Sequence, residues 1–154
     1  MYKRILIPFD GSALAEQALP HAIAQAKQFH AELILLRVVE PFAHARGMSL
    51  ADLERIRQQT TIWIDEYLEP IAADIQQQEV LVRKVTIDGR PHTGIAEFAE
   101  NNQVDLIVMS TRGQSGLSRW LMGSVADRVV RGATVPVLLV RTQKEKALRR
   151  LDVG

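Results

Sequence analysis

The sequence LIVMSTRGQSG from Leu106 to Gly116 is followed, after six further residues, by GSVADRVV from Gly123 to Val130. Its first four residues are a short continuous apolar run, which is typical of a strand buried on both faces. Small and hydroxyl-bearing residues then predict a tight loop, and the pattern after Gly123 predicts a helix. These features together predict an anion site, because unpaired backbone N–H groups meet the positive end of a helix dipole there.

Apolar strands and amphipathic helices alternate on both sides of this stretch. The predicted strands cover 3–10, 32–39, 80–87, 106–109 and 135–140. The predicted helices cover 13–29, 50–77, 92–101 and 125–130. Such alternation favours a parallel sheet that is covered on both faces by right-handed crossovers, and we found no internal repeat or linker.

Individual residues predict where these helices begin or bend and which strand lies at the edge of the sheet. Ser12 and Ser49 precede helical patterns and are predicted N-caps. Pro20 lies inside the first helical pattern and predicts a local bend, with a helix that starts after Pro20 as the alternative. Pro70 predicts a kink in the second helix. The strand at 80–87 has one half-polar face, which predicts a sheet edge.

Length, composition and charge limit the number of domains and the kind of protein. The 154 residues are enough for one domain with a substantial core, and the absence of cysteine excludes disulfides and thiol chemistry. No apolar run approaches the roughly 18 residues of a membrane span, and no signal-peptide pattern is seen, so we expect a cytoplasmic protein. A net charge of +1 argues against a nucleic-acid surface. Residues 142–154 form a basic tail, which we expect to be a solvated extension; binding of an acidic partner is the alternative.

The spacing within the stretch from Leu106 to Val130 resembles the nucleotide-binding signature of the ATP-binding branch of the universal stress protein family. In that family the pattern is Gly, two residues, Gly, nine residues, then Gly with Ser or Thr. Here these positions hold Ser110, Gly113, Gly123 and Ser124, so a serine stands where the family has its first glycine. The resemblance covers residues 2 to about 141. It includes two further segments, ILIPFDGS at 5–12 and PVLLV at 136–140.

The resemblance implies a fold and a place for the site. The fold is a Rossmann-like (adenine nucleotide alpha hydrolase-like) α/β domain over 1–141, with a five-stranded parallel sheet in the order 3-2-1-4-5 and helices on both faces. That order reverses between the first and fourth strands. Asp10 and Ser110 end these two strands and would flank the crevice in which open α/β sheets bind ligands. Two distant stretches of sequence therefore converge on one place.

The resemblance also implies the ligand and its contacts. ATP, or else AMP or ADP, would bind in the crevice, with Mg²⁺ held through the phosphates. The backbone of Val38 would meet the adenine edge, Pro8 would pack nearby, and Asp10 would lie close to the ribose or the phosphates. Gly113 and Gly123 would leave space for the phosphates. The complete predicted set is Pro8, Asp10, Val38, Met109, Ser110, Thr111, Arg112, Gly113, Gln114, Ser115, Gly116, Gly123, Ser124, Val125 and Ala126.

Simpler interpretations compete at several of these positions. Asp10 is also a plausible helix-entry residue, and Ser124 a plausible N-cap. Arg112 and Arg119 would either approach phosphate or be solvated. Ser110 would either donate its hydroxyl or crowd the ligand, and a positive φ at this residue would cost on the order of 1 kcal/mol relative to glycine.

The sequence shows no catalytic constellation. Its four histidines are scattered, no metal-ligand spacing occurs, and neither a nucleophile elbow nor the Gly-Lys-Ser/Thr of a P-loop is present. We therefore expect a regulatory protein of the stress response that binds the nucleotide rather than turning it over. The alternatives are a slow ATPase or autophosphorylating enzyme that uses Asp10, and an interaction module that binds no nucleotide.

The fifth strand at 135–140 is apolar and would expose unpaired backbone groups at a sheet edge. We therefore expect a homodimer that pairs through this strand.

Overall fold

The computed structural model describes residues 1–41, 46–112 and 122–142. Five strands form one sheet: β1 (Arg4–Phe9), β2 (Glu32–Val39), β3 (Val82–Asp88), β4 (Leu106–Ser110) and β5 (Val137–Val140). Their order is β3-β2-β1-β4-β5, and every neighbouring pair is parallel. This confirms the predicted sheet and its reversal between β1 and β4.

The helices cover both faces of this sheet. They are α1 (Ala13–Glu16), α2 (Leu19–Phe29), α3 (Leu50–Gln77), α4 (Pro91–Asn101) and α5 (Ser124–Gly132). Alternate residues of each central strand point to opposite faces, so Ile5 and Ile7 pack with α1, α2 and α3, whereas Leu6 packs with α4 and α5. The three inner strands are largely apolar on both sides because each side faces a layer of helices.

The prediction of one helix over 13–29 was wrong. The structure has the single turn α1, and a new helix begins at Leu19 with Pro20 in its first turn. The first N–H groups of a helix have no intrahelical partner, so a proline there removes nothing. The apolar period crosses the break because Ala15, Ala18 and Ala22 are all buried against the sheet.

Other local predictions are confirmed. The Ser12 hydroxyl accepts from the Ala15 N–H at 3.2 Å, and the Ser49 hydroxyl accepts from the Asp52 N–H at 3.1 Å. Pro70 lies inside α3, which continues through it, and the kink predicted at this residue stays a prediction. The half-polar strand β3 is an edge strand. Among the helices that the structure describes, none combines the length and the apolar character needed to cross a membrane.

Candidate functional site

A crevice of about 450 Å³ opens at the carboxyl ends of β1, β2 and β4, where the strand order reverses. The turn after β1, the first turn of α4 and the first turn of α5 complete its walls. Parallel strands present their carboxyl ends on one edge of a sheet, and neighbouring crossovers leave on opposite faces at the reversal, so a gap forms there. The crevice is therefore a consequence of the topology.

A short chain of hydrogen bonds holds Asp10 at the floor of this crevice. One carboxylate oxygen, Oδ1, accepts from the Ser12 N–H at 2.9 Å and from the Ser12 hydroxyl at 2.6 Å. The Ser12 oxygen in turn caps α1. Between them Gly11 has a φ of +83°, a left-handed conformation that glycine adopts without steric cost. Asp10 is thus both a helix-entry residue and a lining residue of the crevice.

Thr111 joins the end of β4 to the start of α5. Its N–H donates to the Val140 carbonyl at 2.9 Å, and its own carbonyl accepts from the Gly123 N–H at 2.6 Å. The preceding residue, Ser110, is buried, and its hydroxyl donates to the Arg112 carbonyl at 2.7 Å. These bonds place the helix start of α5 directly beside the strand end.

The first turn of α5 presents backbone donors to the crevice. The N-cap is Gly123, with no side-chain cap bond, and Ser124 is the first helical residue rather than the cap considered above. The first intrahelical hydrogen bond of α5 runs from the Asp127 N–H to the Gly123 carbonyl at 3.0 Å. The N–H groups of Ser124, Val125 and Ala126 come before this bond and have no acceptor within the helix. All three residues line the crevice.

The backbone of Val38 faces the crevice from the opposite wall. The carbonyl of the next residue, Val39, accepts from the Gly89 N–H on the β3 side at 2.9 Å. Successive carbonyls of a strand point to opposite sides, so that of Val38 points toward β1. The last residue pair of β1 and β2 is Phe9 with Arg37, so β1 ends before it reaches this carbonyl.

Eleven of the fifteen predicted residues line this one crevice, namely Pro8, Asp10, Val38, Met109, Ser110, Thr111, Arg112, Gly123, Ser124, Val125 and Ala126. The predicted residues Gly113, Gln114, Ser115 and Gly116 lie outside the described residues, as does Arg119. The basic tail also lies outside them from residue 143 onward. The assignment of all these residues to a nucleotide stays a prediction.

Sequence reasoning missed seven lining residues, which are Phe9, Ala15, Arg37, Val39, Glu40, Pro91 and Ile95. Of these, Arg37 carries a signal in the sequence, because it is a charged residue inside the apolar run LILLRVV. Its Nη1 donates to the Phe9 carbonyl at 3.1 Å, and its buried Nε has no hydrogen-bond partner among the described residues. Pro91 and Ile95 come from α4, whose register on the sheet is not visible in sequence.

Charges near the crevice influence a tyrosine of α3. The Tyr67 hydroxyl donates to Glu16 of α1 at 2.9 Å. Burial, followed by this hydrogen bond and the negative charges of Glu16 and Asp10, raises the pKa of Tyr67, and Arg37 opposes the shift. Tyr67 therefore ties the long helix to the short turn that follows Asp10.

Comparison with known proteins identifies the family of this chain. Residues 1–141 match the Universal stress protein family. A universal stress protein of Methanocaldococcus jannaschii is 38% identical over 150 residues, which cover 95% of this chain and 86% of that protein. A second one from the same archaeon is 31% identical, and its solved structure has a TM-score of 0.82 while covering 94% of this chain and 99% of that chain.

Two more distant solved structures share the fold. A family member from Arabidopsis thaliana, solved with AMP bound, is 16% identical, covers 94% of each chain and has a TM-score of 0.68. A universal stress protein in complex with cAMP is 24% identical, covers 92% of this chain and 98% of that one, and has a TM-score of 0.67. The match over 1–141 and the identity to the archaeal proteins agree with the sheet order and the crevice. This chain belongs to the universal stress protein family.

Proposed function

We propose that this protein binds an adenine nucleotide, with ATP as the preferred form, in the crevice at the sheet reversal, and that it holds the nucleotide without rapid turnover. The observation that carries the proposal is the combination found in one cavity. Backbone donors of the first turn of α5 lie at one end, and the carbonyl of Val38, beyond the last β1–β2 residue pair, lies at the other. A nucleotide offers the matching groups, a polyanion and a base edge.

The α5 end suits phosphate. Its donors are backbone N–H groups at a helix start, where the dipole contributes about half a positive charge. Arg112 lines the same end and adds a cation. Gly123 and Ser124 hold the positions at which the family signature places its last glycine and hydroxyl residue. These features support phosphate as the group bound here.

The Val38 end suits adenine. A backbone carbonyl accepts from the exocyclic amine of adenine, whereas guanine presents a carbonyl oxygen at the equivalent position and would be repelled. Pro8, Val38 and Ile95 are apolar residues that line the same crevice. The AMP and cAMP complexes of the two distant family members support the same class of ligand.

The described lining favours binding over turnover. Its charged side chains are Asp10, Arg37, Glu40 and Arg112, and none of its described residues is a histidine or lysine. The Oδ1 atom of Asp10 already accepts two hydrogen bonds from Ser12, and this disfavours its use as a base. Single-turnover hydrolysis above the blank rate that disappears in Asp10→Ala would contradict this part of the proposal and favour a slow ATPase.

A thermal unfolding scan tests binding directly. At ATP concentrations of about 100 times Kd, a single site stabilises the fold by roughly 2.7 kcal/mol. We expect Mg-ATP to raise Tm of the parent, GTP to raise it less, and neither to raise Tm of Gly123→Val, whose side chain would occupy the phosphate end. The same midpoint with and without millimolar ATP in the parent would contradict the proposal and favour a module that binds no nucleotide.

We also propose that two copies pair through β5. The carbonyl of Pro136 accepts from Ile107 of β4 and that of Val140 accepts from Thr111 just after β4, so the backbone groups of Val137 and Leu139 point to the open edge. The side chains of Val137, Leu138 and Leu139 are only half-buried. A second β5 edge would satisfy these backbone groups and cover the apolar side chains.

A further inference from the structure

Gly94 is a buried glycine inside a regular helix. It is the fourth residue of α4, and its N–H donates to the Arg90 carbonyl at 2.8 Å as the helix requires. Glycine is, after proline, the poorest helix former, and nothing in the backbone conformation of this residue requires it. The reason for a glycine here therefore lies in what the helix packs against.

The neighbour of Gly94 is Val38, at the end of β2. A Cβ atom built on Gly94 would lie 3.0 Å from Cγ1 of Val38 and 3.4 Å from both its Cγ2 and the Cδ1 of Ile87. Favourable carbon–carbon contacts lie at about 3.5–4.0 Å. The backbone of α4 thus sits directly on the side chain of the residue whose carbonyl faces the crevice.

Neither partner can yield without altering the crevice. Val38 is β-branched, buried, and paired through its strand with Ile87, so its side chain has little rotational freedom. If α4 moved outward instead, Pro91 and Ile95 would move with it, and both line the crevice. Either response changes the gap between the end of β2 and the first turns of α4.

We propose that Gly94 is a positioning residue that sets the width of the base-binding end of the crevice, by letting α4 approach Val38 without an intervening side chain. The ligand part concerned is the adenine ring, so this inference rests on the proposed function. A side chain at position 94 acts on the base end, which ATP and AMP share. The affinities for the two nucleotides fall by the same factor.

The chain offers a matched control in Gly132. It ends α5, is exposed, and a Cβ built on it meets nothing within 4 Å. Gly132→Ala therefore makes the same chemical change in a helix without touching the crevice. We expect Gly94→Ala to raise Kd for ATP and for AMP about tenfold alike, which is about 1.4 kcal/mol in binding. Gly132→Ala leaves both constants within twofold of the parent.

Isothermal titration of the three proteins with ATP and with AMP is the test. Values for Gly94→Ala within twofold of the parent overturn the inference, as does a loss for ATP that exceeds the loss for AMP, because the phosphate end would then be affected. If the parent binds neither nucleotide, the proposed function fails and this inference fails with it. Methyl NMR of the free proteins tests the packing separately, because the Val38 and Ile87 signals should shift in Gly94→Ala and stay unchanged in Gly132→Ala.

A double variant covers the case in which Gly94→Ala does not fold. Val38→Ala removes the two Val38 methyl groups and leaves only Cδ1 of Ile87, at 3.4 Å, near the new Cβ, so Gly94→Ala combined with Val38→Ala should fold. We expect the double variant to bind ATP as tightly as Val38→Ala alone. A further tenfold loss in the double variant would show that Gly94 acts by another route and would overturn the inference.

Discussion

Ser110 replaces the first glycine of the family signature, and its environment explains how the fold accepts it. Among the described residues, the non-glycine positions with positive φ are His30, Glu79 and Gln103, so the strain expected of a left-handed serine does not arise at Ser110. Its buried hydroxyl instead closes a turn onto the Arg112 carbonyl. The serine therefore contributes to the loop that begins at the end of β4.

Removing this hydroxyl should cost stability. We expect Ser110→Ala to lower the free energy of unfolding by about 1 kcal/mol, because a part-buried carbonyl loses its donor. Chemical denaturation measures this as a lower midpoint at unchanged slope. A midpoint equal to that of the parent would mean that water replaces the hydroxyl without loss.

Tyr67 predicts a dependence of stability on alkaline pH. Its pKa is raised in the folded protein, above the value of about 10 that an unfolded tyrosine has. Above pH 10 the unfolded state therefore binds fewer protons at this residue than the folded state, so rising pH removes stability. Below pH 10 the contribution of the Tyr67–Glu16 hydrogen bond is fully present.

The variant Tyr67→Phe isolates this effect. We expect it to lower the free energy of unfolding by about 1 kcal/mol at neutral pH, through loss of the bond to Glu16. The gap between parent and variant should narrow as pH rises above 10, because only the parent loses the stability of this bond. Unfolding curves at pH 7 and above pH 10 compare the two proteins, and a constant gap would contradict the assignment.

At the scale of elements, two prolines illustrate how position decides the effect of one residue type. Pro20 lies in the first turn of α2, where no intrahelical bond is lost. Pro70 lies in the interior of α3 and is exposed. It cannot donate to the carbonyl of Glu66, and its ring crowds that carbonyl.

Alanine substitutions at these two sites should have opposite signs. We expect Pro70→Ala to raise the free energy of unfolding by about 1–3 kcal/mol, because a helix-interior proline is about 3 kcal/mol less favourable than alanine. Pro20→Ala should lower it by up to about 1 kcal/mol, through greater freedom of the unfolded chain. Thermal unfolding of both variants checks the signs. Equal shifts would indicate that the interior of α3 is distorted enough to accept its proline.

The edge strand β3 carries a charged residue, Lys84, that disfavours pairing with another chain. Lys84 makes ion pairs with Asp65 and Glu69 of α3, and the hydrogen bonds to these carboxylates raise its pKa. A lysine on an edge strand discourages pairing with another chain. The opposite edge, β5, has no such charge among its four residues. This asymmetry is why we place the proposed dimer contact at β5.

At the scale of the whole molecule, a proline at β5 tests the dimer. The N–H of Leu139 points to the open edge, so Leu139→Pro removes a donor that a second copy would need. It leaves in place the bonds from the Ile107 and Thr111 N–H groups to the carbonyls of Pro136 and Val140. We expect the parent to sediment as a dimer at micromolar concentration and the variant as a monomer with the same far-ultraviolet circular dichroism. A parent that sediments as a monomer would end the proposal.

Much of the architecture follows from the sequence alone. The inner strand runs are largely apolar on both faces and alternate with helical periods, and this pattern is compatible with few topologies other than a covered parallel sheet. The ends of β1 and β4 were also located from sequence, because Asp10 and Ser110 each follow an apolar run. The N-caps at Ser12 and Ser49 were also predicted from the sequence.

The amino-acid pattern predicts the covered parallel sheet, and the family resemblance adds the strand order and therefore which strand ends meet. The folded structure was needed to show that Pro20 lies in the first turn of a new helix, that Arg37 and Ile95 line the crevice, and that Gly94 brings α4 onto Val38. The physical reason is that periodicity reports which face of an element is buried, whereas distances between elements depend on how side chains interlock after the chain has folded. The width of a crevice is such a distance.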